Sequence, residues 1–394
     1  MVPKGWMLLQ VSDICKLQNG NSFKPHEWDT KGLPIIRIQN LNGSGNYNYF
    51  SGVPQDKWLV EPGQLLFSWA GTKGVSFGPF IWNGPKGVLN QHIYKVFANE
   101  NVHEHWLYLA LLHITQKIEA QAHGFKSTLL HVQKKDIDNQ FVLTPPVAEQ
   151  KKISQILSTW NKAISVTEKL LANSQQQKKA LIQQLLTGKK RLLDENGVRF
   201  SGEWCTCTLS EVAHIIMGSS PKSEAYNDNG LGLPLIQGNA DIKCRVSCPR
   251  FYTSDITKEC TPGDILLSVR APVGTVALSQ HKACIGRGIS AIKSKRKMSQ
   301  SFLYQWFLWF EPKWCYLSQG STFESINSDD IKTLKLSVPN FEEQQKIAAV
   351  LSAADTEIST LEKKLACLKN EKKALMQQLL TGKRRVKVDE AVAV

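Results

Sequence analysis

One stretch of this chain occurs twice, and the rest of the sequence is arranged around it. Residues 149–191 read EQKKISQILSTWNKAISVTEKLLANSQQQKKALIQQLLTGKKR, and residues 343–385 read EQQKIAAVLSAADTEISTLEKKLACLKNEKKALMQQLLTGKRR. A constant offset carries Glu149 onto Glu343 and Arg191 onto Arg385 without a gap, with roughly 24 of about 43 positions identical. A repeat of this length fixes the architecture before any residue-level reading.

Each copy reads as one long helix. In the first, Ile153, Leu157, Trp160, Ile164, Thr167, Leu171, Ser174, Lys178, Leu181 and Leu185 recur at alternating spacings of four and three. In the second, Ile347, Leu351, Ala354, Ile358, Leu361, Leu365, Leu368, Lys372, Leu375 and Leu379 do the same. Such a seam is the signature of a coiled coil. Pro145, Pro146 and Pro339 lie just upstream, and Glu149 and Glu343 put negative charge in the first turn. Gly188 and Gly382 are C-cap glycines, followed by Lys189 to Arg191 and Lys383 to Arg385 at the negative end of the dipole. The two helices can belong to separate cores or homo-oligomeric zippers, or they can pair with each other antiparallel through a pseudo-two-fold axis. In the second arrangement they form a spacer on the order of 57 Å long, from roughly 38 residues at about 1.5 Å each.

A length of 394 residues suits two globular units plus helices. The formal net charge of +14 favours an acidic polymer as partner. No apolar run approaches the length of a membrane span, and residues 1–13 lack the apolar core and cleavage site of a signal peptide. Nine cysteines, an odd number in a large chain, fit a reducing cytoplasm.

The first globular unit covers residues 1–148. Residues 33–41 (LPIIRIQNL) read as a buried strand, and residues 62–78 as two strands around a Gly-Thr-Lys-Gly turn. Residues 102–121 have helical periodicity, and residues 124–137 read as a polar loop. The second unit, residues 196–340, repeats this order. Trp204, residues 209–212 and Gly218 match Trp6, residues 11–14 and Gly20. LPLIQGNAD at 233–241, PGDILLSVRAPVGTVALS at 262–279 and GSTFESINSDDI at 320–331 match their counterparts in the first half. Between these landmarks the units diverge. A duplicated scaffold with different loops, held by a rigid spacer, suits a reader of two different short signals at a fixed distance, a geometry that duplex DNA offers.

These features resemble the specificity subunits of type I restriction-modification enzymes, over nearly the whole chain. The P-P-x-x-E-Q-x-K-I start stands here as Pro145, Pro146, Glu149, Gln150, Lys152 and Ile153. It returns as Pro339, Glu343, Gln344, Lys346 and Ile347, with Asn340 in place of the second proline. QQLLTGK closes both helices, and the element from Gly263 to Arg270 and the Gly320, Ser321, Thr322 loop are also family-like. Trp69 stands where the second unit has Val269 and Arg270, and Gly-Phe-Lys-Ser-Thr at 124–128 replaces a simple Gly-Ser-Thr. The resemblance implies an α+β protein with two similar target-recognition domains (1–148 and 196–340), separated by two long antiparallel coiled-coil helices (149–190 and 341–385) in an internal pseudo-two-fold repeat. It also implies double-stranded DNA, two methyltransferase subunits and restriction/translocase subunits as partners. S-adenosylmethionine, ATP and Mg are expected only in those partners.

Non-catalytic status agrees with the residues. There is no G-x-x-x-x-G-K-[ST] phosphate loop, and Thr144, Pro145, Pro146, Val147 lacks the amide and the aromatic residue of a base methyltransferase motif. Glu362, Lys363, Lys364 mimics a nuclease E-x-K but lies on a coiled-coil face. Cysteine spacings in the second unit are not ribbon-like, and no metal site is expected.

Base reading needs side chains able to form two hydrogen bonds, Arg with guanine and Asn or Gln with adenine. The candidates in the first unit are Arg37, Gln39, Asn40, Lys73, Gln91 and His92, with Lys126, Ser127 and Thr128 for phosphate. In the second they are Gln237, Asn239, Arg245, Arg270 and Arg287, with Lys222, Ser321 and Thr322 for phosphate. The competing reading is a coiled-coil adaptor that recruits protein partners and does not bind DNA.

Overall fold

The computed structural model describes residues 2–121, 128–314 and 325–388. The candidate residues Lys126, Ser127, Ser321 and Thr322 lie outside them. The chain divides into two compact units: residues 1–167 with 364–394, and residues 168–363. Both divisions fall within the long helices, Val147–Leu185 and Phe341–Leu380. Each unit therefore holds a globular body and one half of each helix.

The named seam positions are buried or half-buried along both helices. In the first unit Ile153 and Leu157 share a core with Met376, Leu379 and Leu380. In the second, Leu181 and Leu185 pack with Ile347 and Leu351. The direction is antiparallel: Ser174 Oγ donates to Glu357 Oε1 (2.9 Å), and one turn further on Lys178 pairs with Asp355. These polar seam positions specify register, since a shifted pairing strands them among apolar neighbours. Gly188 and Gly382 have φ of +69° and +68°, the left-handed cap geometry expected of them.

The first globular body contains two four-stranded sheets. One is antiparallel, with strands in the order Cys15–Asn19, Ile93–Ala98, Leu65–Ser68, Gly78–Ile81. The other runs Tyr49–Phe50, Leu33–Ile36, Gly87–Leu89, Leu59–Val60, and its central pair is parallel. Ile35, Ile36, Val88 and Leu89 are fully buried, the run of apolar residues that a strand covered on both faces requires. The helix Glu104–Gln121 packs on Gly78–Ile81. Residues 124–137, expected to be a polar loop, instead contain the strand Leu129–His131, paired with Ala70–Thr72, and the helix Lys134–Asp138. The strand is created by a distant partner, which local polarity does not reveal.

The second body repeats the plan with six- and five-stranded sheets, again with a central parallel pair, Leu233–Ile236 and Ala283–Ile285. The correspondence extends to single backbone bonds. Asn90 N donates to Ile36 O (3.0 Å) as Gly286 N does to Ile236 O (2.8 Å); Trp69 N donates to His92 O (3.1 Å) as Val269 N does to Gly288 O (2.9 Å). Gly20 and Gly218 occupy the same crossing, where a Cβ would stand 2.1 Å from Asn90 O and 2.2 Å from Gly286 O respectively. Only glycine fits there.

Candidate nucleic-acid interface

Among the described residues, Arg37, Gln39, Asn40, Gln91 and His92 in the first body, and Gln237, Asn239 and Arg287 in the second, lie where the parallel pair of strands ends. Leu33–Ile36 runs into a short helical turn, Ile38–Leu41, that Arg37 opens. Asn40 folds the turn back on itself: its Oδ1 accepts from Arg37 N (2.9 Å), and its Nδ2 donates to Ser44 O (2.9 Å) and Asn46 O (3.0 Å). Both ends of the Asn40 amide thus serve the loop, and the residue is buried. Gln39 is exposed and donates to Asn46 O (3.0 Å). Arg37 is half-buried, lies 5.2 Å over the Trp28 ring, and has a buried Nε with no hydrogen-bond partner.

Beside this turn, Gln91 N donates to Asn21 O (2.7 Å), and His92 adopts a left-handed backbone, φ +75°. That conformation costs a non-glycine residue free energy and persists where the surroundings enforce it. His92, Trp69 and His131 form an aromatic triangle, with centroids 4.7 Å apart for each pair that includes Trp69 and 5.9 Å for the two histidines. His92 Nδ1 and Trp69 Nε1 are buried without a hydrogen bond. Burial, and then the neighbouring His131, hold the His92 imidazole below its ordinary pKa, so the ring is poised neutral. Trp69 also connects to the ribbon of Ala70–Thr72 and Leu129–His131, where Lys73 N donates to Thr128 O (3.1 Å). Lys73 and Thr128 are therefore neighbours, despite their separation in sequence.

The second body builds the same turn from different side chains. Gln237 ends the strand, and the capping role of Asn40 passes to Asp241, whose Oδ2 accepts from Gln237 N (2.9 Å). Asn239 opens the short turn Asn239–Asp241. Arg287 sits between Gly286 and Gly288, both packed against Gln237, and its N–H donates to Ser220 Oγ (3.4 Å). Its side chain is exposed, as is that of Arg270, whose backbone bridges to Ser325. Lys222 is exposed and its N–H donates to Asp255 Oδ2 (3.0 Å). Arg245 is set apart from these. It lies in the hairpin joining Ile242–Lys243 to Val246–Ser247, and its Nη1 donates to Val276 O (3.1 Å) and Glu311 Oε1 (2.5 Å). The bond to Glu311 raises its pKa further, as a clamped guanidinium requires. Sequence reasoning overlooked Arg250, whose Nε donates to Asp241 Oδ1 (2.9 Å).

Each body is joined to the helices by one repeated cluster. In the second unit Arg191 Nε and Nη2 donate to Glu343 Oε1 and Oε2 (2.7 and 2.6 Å), and the guanidinium lies 6.0 Å over Trp204. In the first unit Arg385 pairs with Glu149 in the same way and lies 5.5 Å over Trp6. Gln150 Oε1 accepts from His103 N (2.8 Å) and Gln344 Oε1 from Ser299 N (2.9 Å). The Glu-Gln dipeptide at each helix start is thus a buried, satisfied joint between helix and domain.

A duplicated α+β protein of this kind matches a known family twice. Residues 3–173 and 201–370 fit the type I restriction modification DNA specificity domain, and the chain belongs to that family. It is 32% identical to a specificity subunit assigned to the type I restriction enzyme MjaX of Methanocaldococcus jannaschii, over 98% of this chain and 95% of that one. Its fold is similar to the HsdS subunit from Thermoanaerobacter tengcongensis (22% identity, TM-score 0.51, covering 97% and 98% of the two chains). It is also similar to a type I restriction-modification S subunit from M. genitalium (16% identity, TM-score 0.61, covering 95% and 96%). The family's role is DNA sequence specificity within a multisubunit complex, and it is a non-catalytic one. No helix among the described residues is long and apolar enough to cross a membrane.

Proposed function

We propose that each globular body reads one half of a bipartite site in double-stranded DNA, and that the two helices set the gap between the halves. One observation carries this reading: matching backbone hydrogen bonds present different side chains at the same place. Arg37 in one body answers Gln237 in the other, Gln91 and His92 answer Arg287 and Gly288, and Trp69 answers Val269. A scaffold kept while its end residues diverge is what two separate specificities need. Base edges distinguish sequence through side-chain chemistry, whereas phosphate contacts only position the protein.

In this reading the chain works in the cytoplasm and supplies no chemistry of its own. Two methyltransferase subunits, which carry S-adenosylmethionine, dock on the helix ends and adjacent domains. Restriction/translocase subunits bring ATP and Mg. The test is duplex binding by the assembled complex over a salt series. A DNA reader loses affinity steeply as phosphate contacts release counterions and keeps a sequence preference throughout. A protein-recruiting adaptor shows no duplex binding, and that result defeats the reading.

A further inference from the structure

We infer that Arg250 is a specificity-determining residue of the second body: it reads one guanine, and Asp241 is its positioning residue. The inference rests on the DNA-reading function proposed above and adds a residue and a base to it.

Arginines serve two purposes in this chain, and their bonding separates them. Arg191 and Arg385 each commit Nε and Nη2 to the two oxygens of a single carboxylate, which closes one whole edge of the guanidinium. They are joints. Arg250 is bound differently. Only its Nε is engaged, at Asp241 Oδ1, and neither Nη makes a hydrogen bond to any described residue. Asp241 divides its oxygens, holding Arg250 with one and the backbone N–H of Gln237 with the other. The Asp241 side chain is 4% exposed, while the Arg250 side chain is 53% exposed. A buried anchor thus holds the root of an arginine whose tip remains in solvent.

Two further features restrict that tip. The guanidinium carbon lies 5.9 Å over the Phe251 ring, and Pro249 fixes φ immediately before it in the chain. Gln237 connects the assembly to the exposed Arg287 through Gly286 and Gly288. Arg250 therefore belongs to the strand-end cluster where the two bodies diverge. The two outward Nη groups of an arginine held at Nε match the O6 and N7 acceptors of guanine in the major groove. Preorganisation matters because an unanchored arginine must lose rotamer freedom on binding.

The experiment uses the full chain in its assembled complex, comparing wild type, Arg250→Lys, Arg250→Ala and Asp241→Asn against a library of duplex sites. Wild type requires a guanine, on one strand, within the half-site that changes when residues 196–340 are exchanged. Arg250→Lys keeps the charge and the salt slope but relaxes that one position by about 10- to 100-fold. Asp241→Asn still caps Gln237 and relaxes the same position to a smaller extent. Preference unchanged at every position in Arg250→Ala overturns the inference, and so does a uniform loss across all sequences with a shallower salt slope, the mark of a phosphate contact. Either result leaves the parent reading standing if wild type discriminates among sites. A wild-type complex with no sequence preference overturns both.

Discussion

Arg191 and Glu343 meet as two parallel hydrogen bonds, Nε to Oε1 and Nη2 to Oε2, at 2.7 and 2.6 Å. The end of one long helix is thereby locked to the start of the other, and Glu343 is fully buried in doing so. Arg385 and Glu149 repeat the joint in the other unit. Glu343 is buried and the Arg191 side chain is 19% exposed, so removing the carboxylate leaves a part-buried guanidinium uncompensated, a cost at the low end of that for a buried pair. Glu343→Ala should therefore cost roughly 3 kcal/mol in denaturant unfolding, against about 1 kcal/mol or less for removal of an exposed charge such as Glu362. Equal, small effects at both positions would show that the joint contributes little.

Exchanging residues 1–148 for those of another member of the family should change one half-site and leave the other intact. Each body has its own sheets, its own core and its own strand-end cluster, so nothing in one body encodes the other's preference. Mapping methylated bases made by the hybrid complex reads this directly. Simultaneous change of both half-sites would contradict two independent readers.

Deletion of residues 165–171 together with 359–365 removes one heptad from each helix and keeps the seam in phase. Each helix shortens by about 10.5 Å at about 1.5 Å per residue. At about 3.4 Å per base pair the gap should contract by roughly three base pairs, with both half-sites unaltered. Deleting four residues instead breaks the heptad phase and should cost folding or assembly. An unchanged gap in an active heptad-deleted complex means the helices are not the ruler.

His113, on the helix Glu104–Gln121, has both ring nitrogens buried without a hydrogen bond, beside a cavity of about 300 Å³ that Phe141, Leu143 and Leu380 also line. Burial first, and then Lys117, hold its pKa below the ordinary value. The fold therefore favours the neutral ring. That contribution is complete above the unfolded value near 6.5 and is lost as pH falls through the lower folded value. His92 and His105 shift in the same direction, also mainly from burial. Stability measured by thermal unfolding should decline as pH is lowered from 7.5 to 5. His113→Leu should flatten part of that decline, and an unchanged slope would assign it to other groups.

Much of this architecture is local and therefore legible in the residues alone. The seam from Ile153 to Leu185 and its copy from Ile347 to Leu379 announce two amphipathic helices, because a period near 3.5 has no other economical burial. Residues 33–41 read as one buried strand, but the strand stops at Ile36 and Ile38–Leu41 turns helical, because the Asn40 side chain caps the Arg37 N–H and folds the chain back. Partners distant in sequence are another matter. Glu149 and Glu343 read as charges answering a helix dipole, and Arg191 and Arg385 as their counterparts at the far end. Only the antiparallel arrangement brings the start of one helix to the end of the other and turns four charges into two forks, each built on a buried carboxylate. Leu129–His131 passes for polar loop until Ala70–Thr72 lies alongside it.

The site divides in the same way. The composition of the strand ends offers Arg37, Gln237 and Arg287 as candidates, since residue type sets what a side chain can donate, and the fold places all three just past the parallel strands. Arg245 and Arg250 carry the same side chain a few residues apart, and sequence reasoning selected the first of them. Tertiary structure separates them: Glu311 and Val276 O occupy the Nη1 of Arg245, while Asp241 holds Arg250 by Nε and leaves its fork open. Residue type fixes the hydrogen bonds an arginine can make. Which of them remain free depends on the carboxylate the fold brings beside it.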